Sequence, residues 1–240
     1  MIKEESFMNN LKKDAVTAIV PVFNEEDTIL IVLKNLLDID LINQIIVIDD
    51  ASRDNTVNHI KKLSDDKLFL IENSQNLGKG ATIRQALKYI TSEFVCVQDA
   101  DLELNPSYIK NYFEIAVKDN LDVVFGSRFK NLRIEGYPIK LSLANKLYTL
   151  IINFLTKHNF EDVNCGHKFF RTNVLKDLKF KENHFGADPE ISYLVGRKKL
   201  KHIDYQIAFK ARGKKQGKKI TWIDGLKFFK VIYKTHKNYK

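Results

Sequence analysis

The first 126 residues set the strongest constraint on what this chain can fold into. Short β-branched runs recur at Thr17–Val22, Gln44–Asp49, Leu68–Glu72, Phe94–Gln98 and Val123–Gly126. Amphipathic stretches lie between them at Glu26–Leu37, Asn55–Leu63, Gly80–Ile90 and Pro106–Val117. Strand and helix alternating at this spacing predict βαβ units and a mostly parallel sheet. Ligands of such sheets bind beyond the carboxyl ends of the strands, so the residues that follow each strand carry the functional information.

Those residues are polar at all five strand ends. They read Phe23-Asn24-Glu25-Glu26, then Asp49-Asp50-Ala51-Ser52, then Asn73-Ser74-Gln75-Asn76-Leu77-Gly78-Lys79-Gly80, then Asp99-Ala100-Asp101-Leu102-Glu103, then Gly126-Ser127-Arg128. Two carboxylates one residue apart, Asp99 and Asp101, can share a hard divalent cation, with water or phosphate oxygens filling its other positions. An acidic approach to a helix is the competing reading, because Asn105-Pro106 suits an N-cap followed by proline at the first helical position. Asp49-Asp50 can accept hydrogen bonds from a base or ribose, and Ser52 and Asp54 suit capping of the next helix. The glycine-rich Asn76–Gly80 segment places a helix N-terminus and Lys79 where phosphates can be met. Glycine after Lys79 excludes a Walker A loop, and Ile83 excludes a G-x-G-x-x-G fingerprint, so neither NTP hydrolysis nor dinucleotide redox is expected.

Beyond Arg128 the pattern changes. Leu141–Leu155 is a nearly uncharged helix candidate, read either as a core helix or as an amphipathic helix at a bilayer surface with Lys140, Lys146 and Lys157 near the headgroups. Helices are predicted at Asn173–Leu178, Pro189–Lys199 and Trp222–Lys234, with a strand at His202–Phe209 and a basic loop between. Six histidines show no zinc spacing, and Cys96 and Cys165 read as plain thiols.

Five of these motifs, taken in order, resemble the family 2 glycosyltransferases of the GT-A fold: Val20-Pro21-Val22-Phe23-Asn24-Glu25-Glu26, Ile48-Asp49-Asp50-Ala51-Ser52-x-Asp54-x-Thr56, Asn76-x-Gly78-Lys79-Gly80, Asp99-Ala100-Asp101 and Gly126-Ser127-Arg128. In the second half, Asp162-x-x-Cys165-Gly166-x-Lys168-x-Phe170-Arg171 is similar to the stretch before the acceptor region of polyprenyl-phosphate hexosyltransferases of the dolichol-phosphate mannosyltransferase type. Phe185-Gly186-x-Asp188-Pro189-Glu190-Ile191 and Arg212-x4-Gly217-Lys218-Lys219-Ile220 are similar to their compact prokaryotic relatives.

The resemblance implies an α/β GT-A fold: a Rossmann-like, mostly parallel central sheet flanked by helices, with a C-terminal acceptor-side extension. A single domain over residues 1–240 is expected, with residues 15–128 binding the nucleotide sugar and 129–240 forming the acceptor half and basic region. The implied reaction is a metal-dependent, inverting transfer of a hexose, from GDP-mannose by preference or UDP-glucose, to a polyprenyl or dolichyl phosphate. A cell-surface glycan or other non-phosphate acceptor is the alternative. Pro21, Phe23, Glu25 and Asp50 would line the nucleoside pocket, with Lys79 beside the phosphates. Asp99 and Asp101 would meet the diphosphate through Mg²⁺ or Mn²⁺, and Glu103 stands as a further metal oxygen where mannosyltransferase relatives often have glutamine. Arg128, Arg212 and Lys218 would position the acceptor phosphate, and Glu190 would hold an arginine or meet the acceptor.

Charge fits an anionic acceptor. Residues 197–240 hold 15 Lys or Arg and 2 acids, whereas the first 196 hold 24 basic and 28 acidic residues. The basic fifth points to an anionic partner such as nucleic acid, a membrane surface or a phosphorylated ligand. Nucleic acid is not expected, because the cluster Lys210–Lys219 has only Phe209 as an aromatic neighbour. No signal peptide or membrane-spanning run is read, since the longest uncharged apolar stretch covers only Leu147–Thr156. The expected location is cytoplasmic and peripheral on the cytoplasmic face of the membrane, with room for an integral-membrane partner.

Overall fold

The computed structural model of the protein describes residues 16–130, 133–134, 137–209, 211 and 222–239. Arg212 and Lys218 lie outside the described residues. Seven strands form the main sheet: β1 (Val16–Val22), β2 (Ile42–Asp49), β3 (Leu68–Glu72), β4 (Phe94–Val97), β5 (Val123–Ser127), β8 (Lys168–Arg171) and β9 (His202–Gln206). A separate two-stranded pairing joins β6 (Phe129–Lys130) to β7 (Arg133–Ile134). The helices are α1 (Ile29–Leu37), α2 (Thr56–Lys61), α3 (Lys79–Ala86), α4 (Tyr108–Lys118), α5 (Ile139–Thr156), α6 (Thr172–Leu178), α7 (Ala187–Arg197) and α8 (Trp222–Asn238).

The order across the sheet is β3-β2-β1-β4-β8-β5-β9, parallel throughout except for β8. The chain runs outward from β1 to β3 and then returns to the other side of β1 with β4. That reversal puts a crevice beyond the carboxyl ends of β1 and β4, where Phe23 and Asp99 stand. Successive strand residues face opposite sides: Ala18, Val20, Ile45 and Val47 pack with Val32, Leu36, Ile109 and Phe113. Ile19, Ile46 and Ile48 pack on the other side with Ile83, Tyr148, Ile152 and Ile191. A sheet buried on both faces explains why its strands read as continuous apolar runs.

Strand β8 is absent from the sequence reading. It enters antiparallel between β4 and β5, pairing Phe94 with Arg171 and Val123 with Phe170. The antiparallel direction carries the amino end of β8, with Gly166 and His167 before it, to the carboxyl ends of its neighbours. Helix α5 buries a mixed face, with Tyr148 and Ile152 in the core, and leaves a wholly apolar stripe outside. Its buried positions include Ser142, Asn145, Thr149 and Thr156, whereas Ile139, Leu143, Leu147, Leu150 and Phe154 are exposed, the last to 83%.

Candidate active site

The crevice opens into a cavity of about 410 Å³. Pro21, Phe23, Glu25, Asp50, Lys79, Asp99, Asp101, Glu103 and Arg128, nine of the residues singled out in the sequence, all line it. Residues from the second half complete the wall, among them Tyr137, Asn164, Gly166, His184, Asp188 and Phe209. Five strand ends explain the first group. In the second group Gly166 and Asp188 lie in motifs quoted from the sequence, whereas Tyr137, Asn164, His184 and Phe209 were not singled out and reach the wall through tertiary packing.

The walls built from the first-half strand ends are tied together by short polar contacts. Thr28 Oγ1 donates to Ala100 O at 2.9 Å and to Glu25 Oε2 at 3.0 Å, joining the turn after β1 to the acidic turn after β4. Asp54, two positions before α2, accepts from Thr56 N at 3.0 Å and from Glu26 N at 3.2 Å. Asp50 organises the glycine-rich loop: Oδ1 accepts from Leu77 N at 2.8 Å and Asn73 Nδ2 at 3.1 Å, and Oδ2 accepts from Gly78 N at 2.7 Å. Its carboxylate shapes the pocket wall by holding that loop. Gly78 sits at φ 92°, and a Cβ there would lie 2.3 Å from His184 Nδ1, so both backbone strain and contact demand glycine.

Three ion pairs stand on the wall, two at Lys79 and one at Arg128. Lys79 Nζ lies 2.7 Å from Asp99 Oδ1 and 3.2 Å from Asp188 Oδ2. Burial opposes charge on Lys79, but the Asp188 and Asp99 carboxylates outweigh it, and its pKa is raised. Burial likewise pushes the Asp99 carboxyl up, and the adjacent ammonium overrides that to hold it below the usual carboxylate range. Arg128 Nε and Nη2 clasp Asp162 at 2.8 and 3.0 Å, while its backbone N–H donates to the same carboxylate at 3.2 Å. Its guanidinium also covers the Phe209 ring at 5.3 Å from the centroid. Arg128 therefore reaches the cavity with its fork already engaged.

Glu190 stands apart from the cavity lining. Its Oε2 accepts from Lys181 N at 2.9 Å and Glu182 N at 2.7 Å, and burial raises its pKa. Asp188, two positions earlier on α7, faces the cavity instead. Residues two apart on a helix point about 200° away from each other, so the Asp-Pro-Glu motif can present only one carboxylate to the site. The imidazole of His167, completely buried, meets Tyr112 Oη through Nδ1 at 3.1 Å, and burial pushes its pKa down to about 4.

No group of three or more His, Cys, Asp or Glu side chains among the described residues encloses a metal position. Asp99 and Asp101 on the cavity wall, with Glu103 beside them, offer hard oxygens but too few to cage an ion alone. That donor set fits Mg²⁺ or Mn²⁺ held by one or two carboxylates together with substrate phosphate oxygens and water.

Comparison with known proteins agrees with this geometry. Residues 17–179 match the profile of Glycosyl transferase family 2. An uncharacterized protein of Methanocaldococcus jannaschii is 30% identical over 203 residues, covering 80% of this chain and 86% of that protein. A dolichyl-phosphate beta-glucosyltransferase of Trichomonas vaginalis is 27% identical over 209 residues, covering 78% of this chain; the match spans 62% of that enzyme's length. Among solved structures, glucosyl-3-phosphoglycerate synthase from Mycobacterium tuberculosis superposes with a TM-score of 0.71 at 14% identity, covering 95% of this chain and 82% of that one. That likeness establishes the GT-A architecture: a mostly parallel seven-stranded sheet between helices. With the family profile spanning more than half of its length and the acidic turns meeting in one cavity, the chain is a glycosyltransferase and belongs to glycosyl transferase family 2.

Proposed function

We propose that the protein transfers a hexose from a nucleotide sugar to the phosphate of a membrane-embedded polyprenyl chain, with inversion at the anomeric carbon. One phosphate oxygen of the acceptor attacks the sugar carbon, and the carbon–oxygen bond to the nucleoside diphosphate breaks with its electron pair. A divalent cation, when bound, neutralises charge on that leaving diphosphate. Asp99 and Asp101 would hold it there, Asp50 fixes the loop that ends in Lys79, and the Asp162 clasp fixes Arg128 on the wall. An acceptor phosphate is already anionic, so it needs positioning and exclusion of water more than a general base. The curated relatives named for an activity transfer glucose to dolichyl phosphate, which favours UDP-glucose over the GDP-mannose expected from motifs alone.

The observation that carries the lipid reading is the exposed apolar stripe of helix α5. Its inner face mixes Tyr148 and Ile152 with Ser142, Asn145 and Thr149, and Asn145 Oδ1 accepts from the cavity residue Asn164 at 2.8 Å. Its outer stripe of Ile139, Leu143, Leu147, Leu150 and Phe154 is apolar, and Lys140, Lys146 and Lys157 are the only charges from residue 139 to 157. An apolar stripe with lysines beside it suits the boundary of an anionic bilayer. No described helix is long and apolar enough to cross a membrane. The polyprenyl tail would then stay in the bilayer while its phosphate enters the cavity.

Radiolabelled UDP-glucose and GDP-mannose, offered separately with polyprenyl phosphate in vesicles and with a neutral glycan, test this reading. Label should move into the organic phase with one donor. Label appearing only in the water-soluble glycan would overturn the lipid acceptor.

A further inference from the structure

Four charges alternate in a line from the cavity wall into the interior. Asp99 meets Lys79 at 2.7 Å, Lys79 meets Asp188 at 3.2 Å, and Asp188 Oδ1 lies 3.8 Å from Lys168 Nζ. The far end of the line is fixed. Lys168 is 1% exposed and donates to Val163 O at 3.1 Å and to Cys165 O, so it anchors Asp188 from behind. The near end is different: Lys79 begins α3 and has the cavity before it.

An ammonium and a divalent cation compete for the same carboxylate, because each needs its lone pairs and the two repel at contact distance. Within this line, Asp188 is the group able to keep Lys79 neutralised once Asp99 is taken. Little movement is required, since Nζ already lies within hydrogen-bonding distance of Asp188 Oδ2. Gly166 closes the other side: a Cβ there would lie 2.3 Å from Asp99 Oδ2 and 2.7 Å from Lys79 Nζ. Of the directions left to the ammonium, the one toward Asp188 keeps it paired with a carboxylate.

We propose that Lys79 is the resident counter-cation of Asp99 and that Asp188 is a positioning residue that receives it when a divalent cation binds. Asp188 thus sets the metal affinity of a carboxylate it does not touch. The inference rests on the divalent-cation role proposed above for Asp99.

Free Mn²⁺, read by its electron paramagnetic resonance signal, tests the exchange in the full chain without nucleotide and again with UDP. Close charge pairs couple by factors on the order of ten, so without nucleotide Lys79→Met should tighten Mn²⁺ binding about tenfold and Asp188→Asn should weaken it by a similar factor. In the Lys79→Met background, Asp188→Asn should change the affinity by less than about twofold, because no ammonium is left to relocate. An equal loss in both backgrounds would mean that Asp188 acts through its field alone and would overturn the exchange. Mn²⁺ binding by the wild type with no gain in Lys79→Met would overturn it as well, even if Asp188→Asn fails to fold. Absence of Mn²⁺ binding in every variant, with UDP present, would instead remove the metal role of Asp99 and this inference with it.

Discussion

Replacing Gly166 with alanine should damage catalysis more than stability. The added Cβ would lie 2.3 Å from Asp99 Oδ2, 2.7 Å from Lys79 Nζ and 3.1 Å from Asp99 Cγ. Ordinary non-bonded contacts begin near 3.5 Å, so the carboxylate must retreat by about 1 Å. The backbone beside it cannot share that movement easily, because Gln98 N donates to Ile19 O at 2.9 Å and Gln98 Nε2 to Leu104 O at 3.1 Å. Overpacking of this kind costs about 1–3 kcal/mol. For a chain of this size that corresponds to a fall in melting temperature of roughly 2–12 °C. A displacement of about 1 Å at the reacting groups costs on the order of 100-fold in rate. Sugar-transfer kcat/KM and thermal melting should be measured together, with Gly196→Ala as the control. Its Cβ would lie 2.7 Å from Thr156 Oγ1, outside the cavity lining, so it should lower the melting temperature and leave kcat/KM unchanged. A Gly166→Ala enzyme with kcat/KM within about twofold of wild type, while melting falls as in the control, would refute the reasoning about Asp99.

Three further outcomes follow from buried charge and the exposed helix. Asp162→Asn leaves Arg128 without its buried partner and should lower the unfolding free energy by about 3–5 kcal/mol, measured by urea denaturation. Burial holds His158 and His167 near a pKa of about 4, below the unfolded value, so stability is full above pH 6.5 and falls as pH drops toward 4. His167 alone should lower the unfolding free energy by about 2 kcal/mol between pH 7.5 and 5, and stability that stays level across that range would contradict its buried neutral state. Leu147→Glu combined with Phe154→Glu should reduce sedimentation with anionic vesicles at least about tenfold, with the melting temperature little changed.

The parts of this protein that could be read from sequence are those built by neighbouring residues. Apolar runs announced β1 to β5, and each polar strand end that followed reached the cavity because parallel strands deliver their carboxyl ends to one edge. Strand β8 could not be read in this way. Lys168-Phe169-Phe170-Arg171 is short and flanked by charge, and it becomes a central strand only because Asp188 and two carbonyls satisfy the Lys168 ammonium. The same distance in sequence hid the choice between Asp188 and Glu190, which depended on the face of α7 that meets the cavity. Arg128 was legible as a cavity residue, whereas its engagement by Asp162, 34 positions later, was not. The near absence of charge in Leu141–Leu155 left both a core helix and a surface helix open, and tertiary packing buried Tyr148 and Ile152 with Ser142, Asn145 and Thr149 while leaving Leu143, Leu147, Leu150 and Phe154 exposed.

The most direct test of the account is formation of labelled glucolipid from UDP-glucose and polyprenyl phosphate, followed as Mn²⁺ is titrated, for wild type and Asp101→Ala. Product should depend on Mn²⁺, disappear on chelation, and fall at least about 100-fold in the variant. Product formed at an undiminished rate by Asp101→Ala, or in the presence of excess chelator, would contradict it.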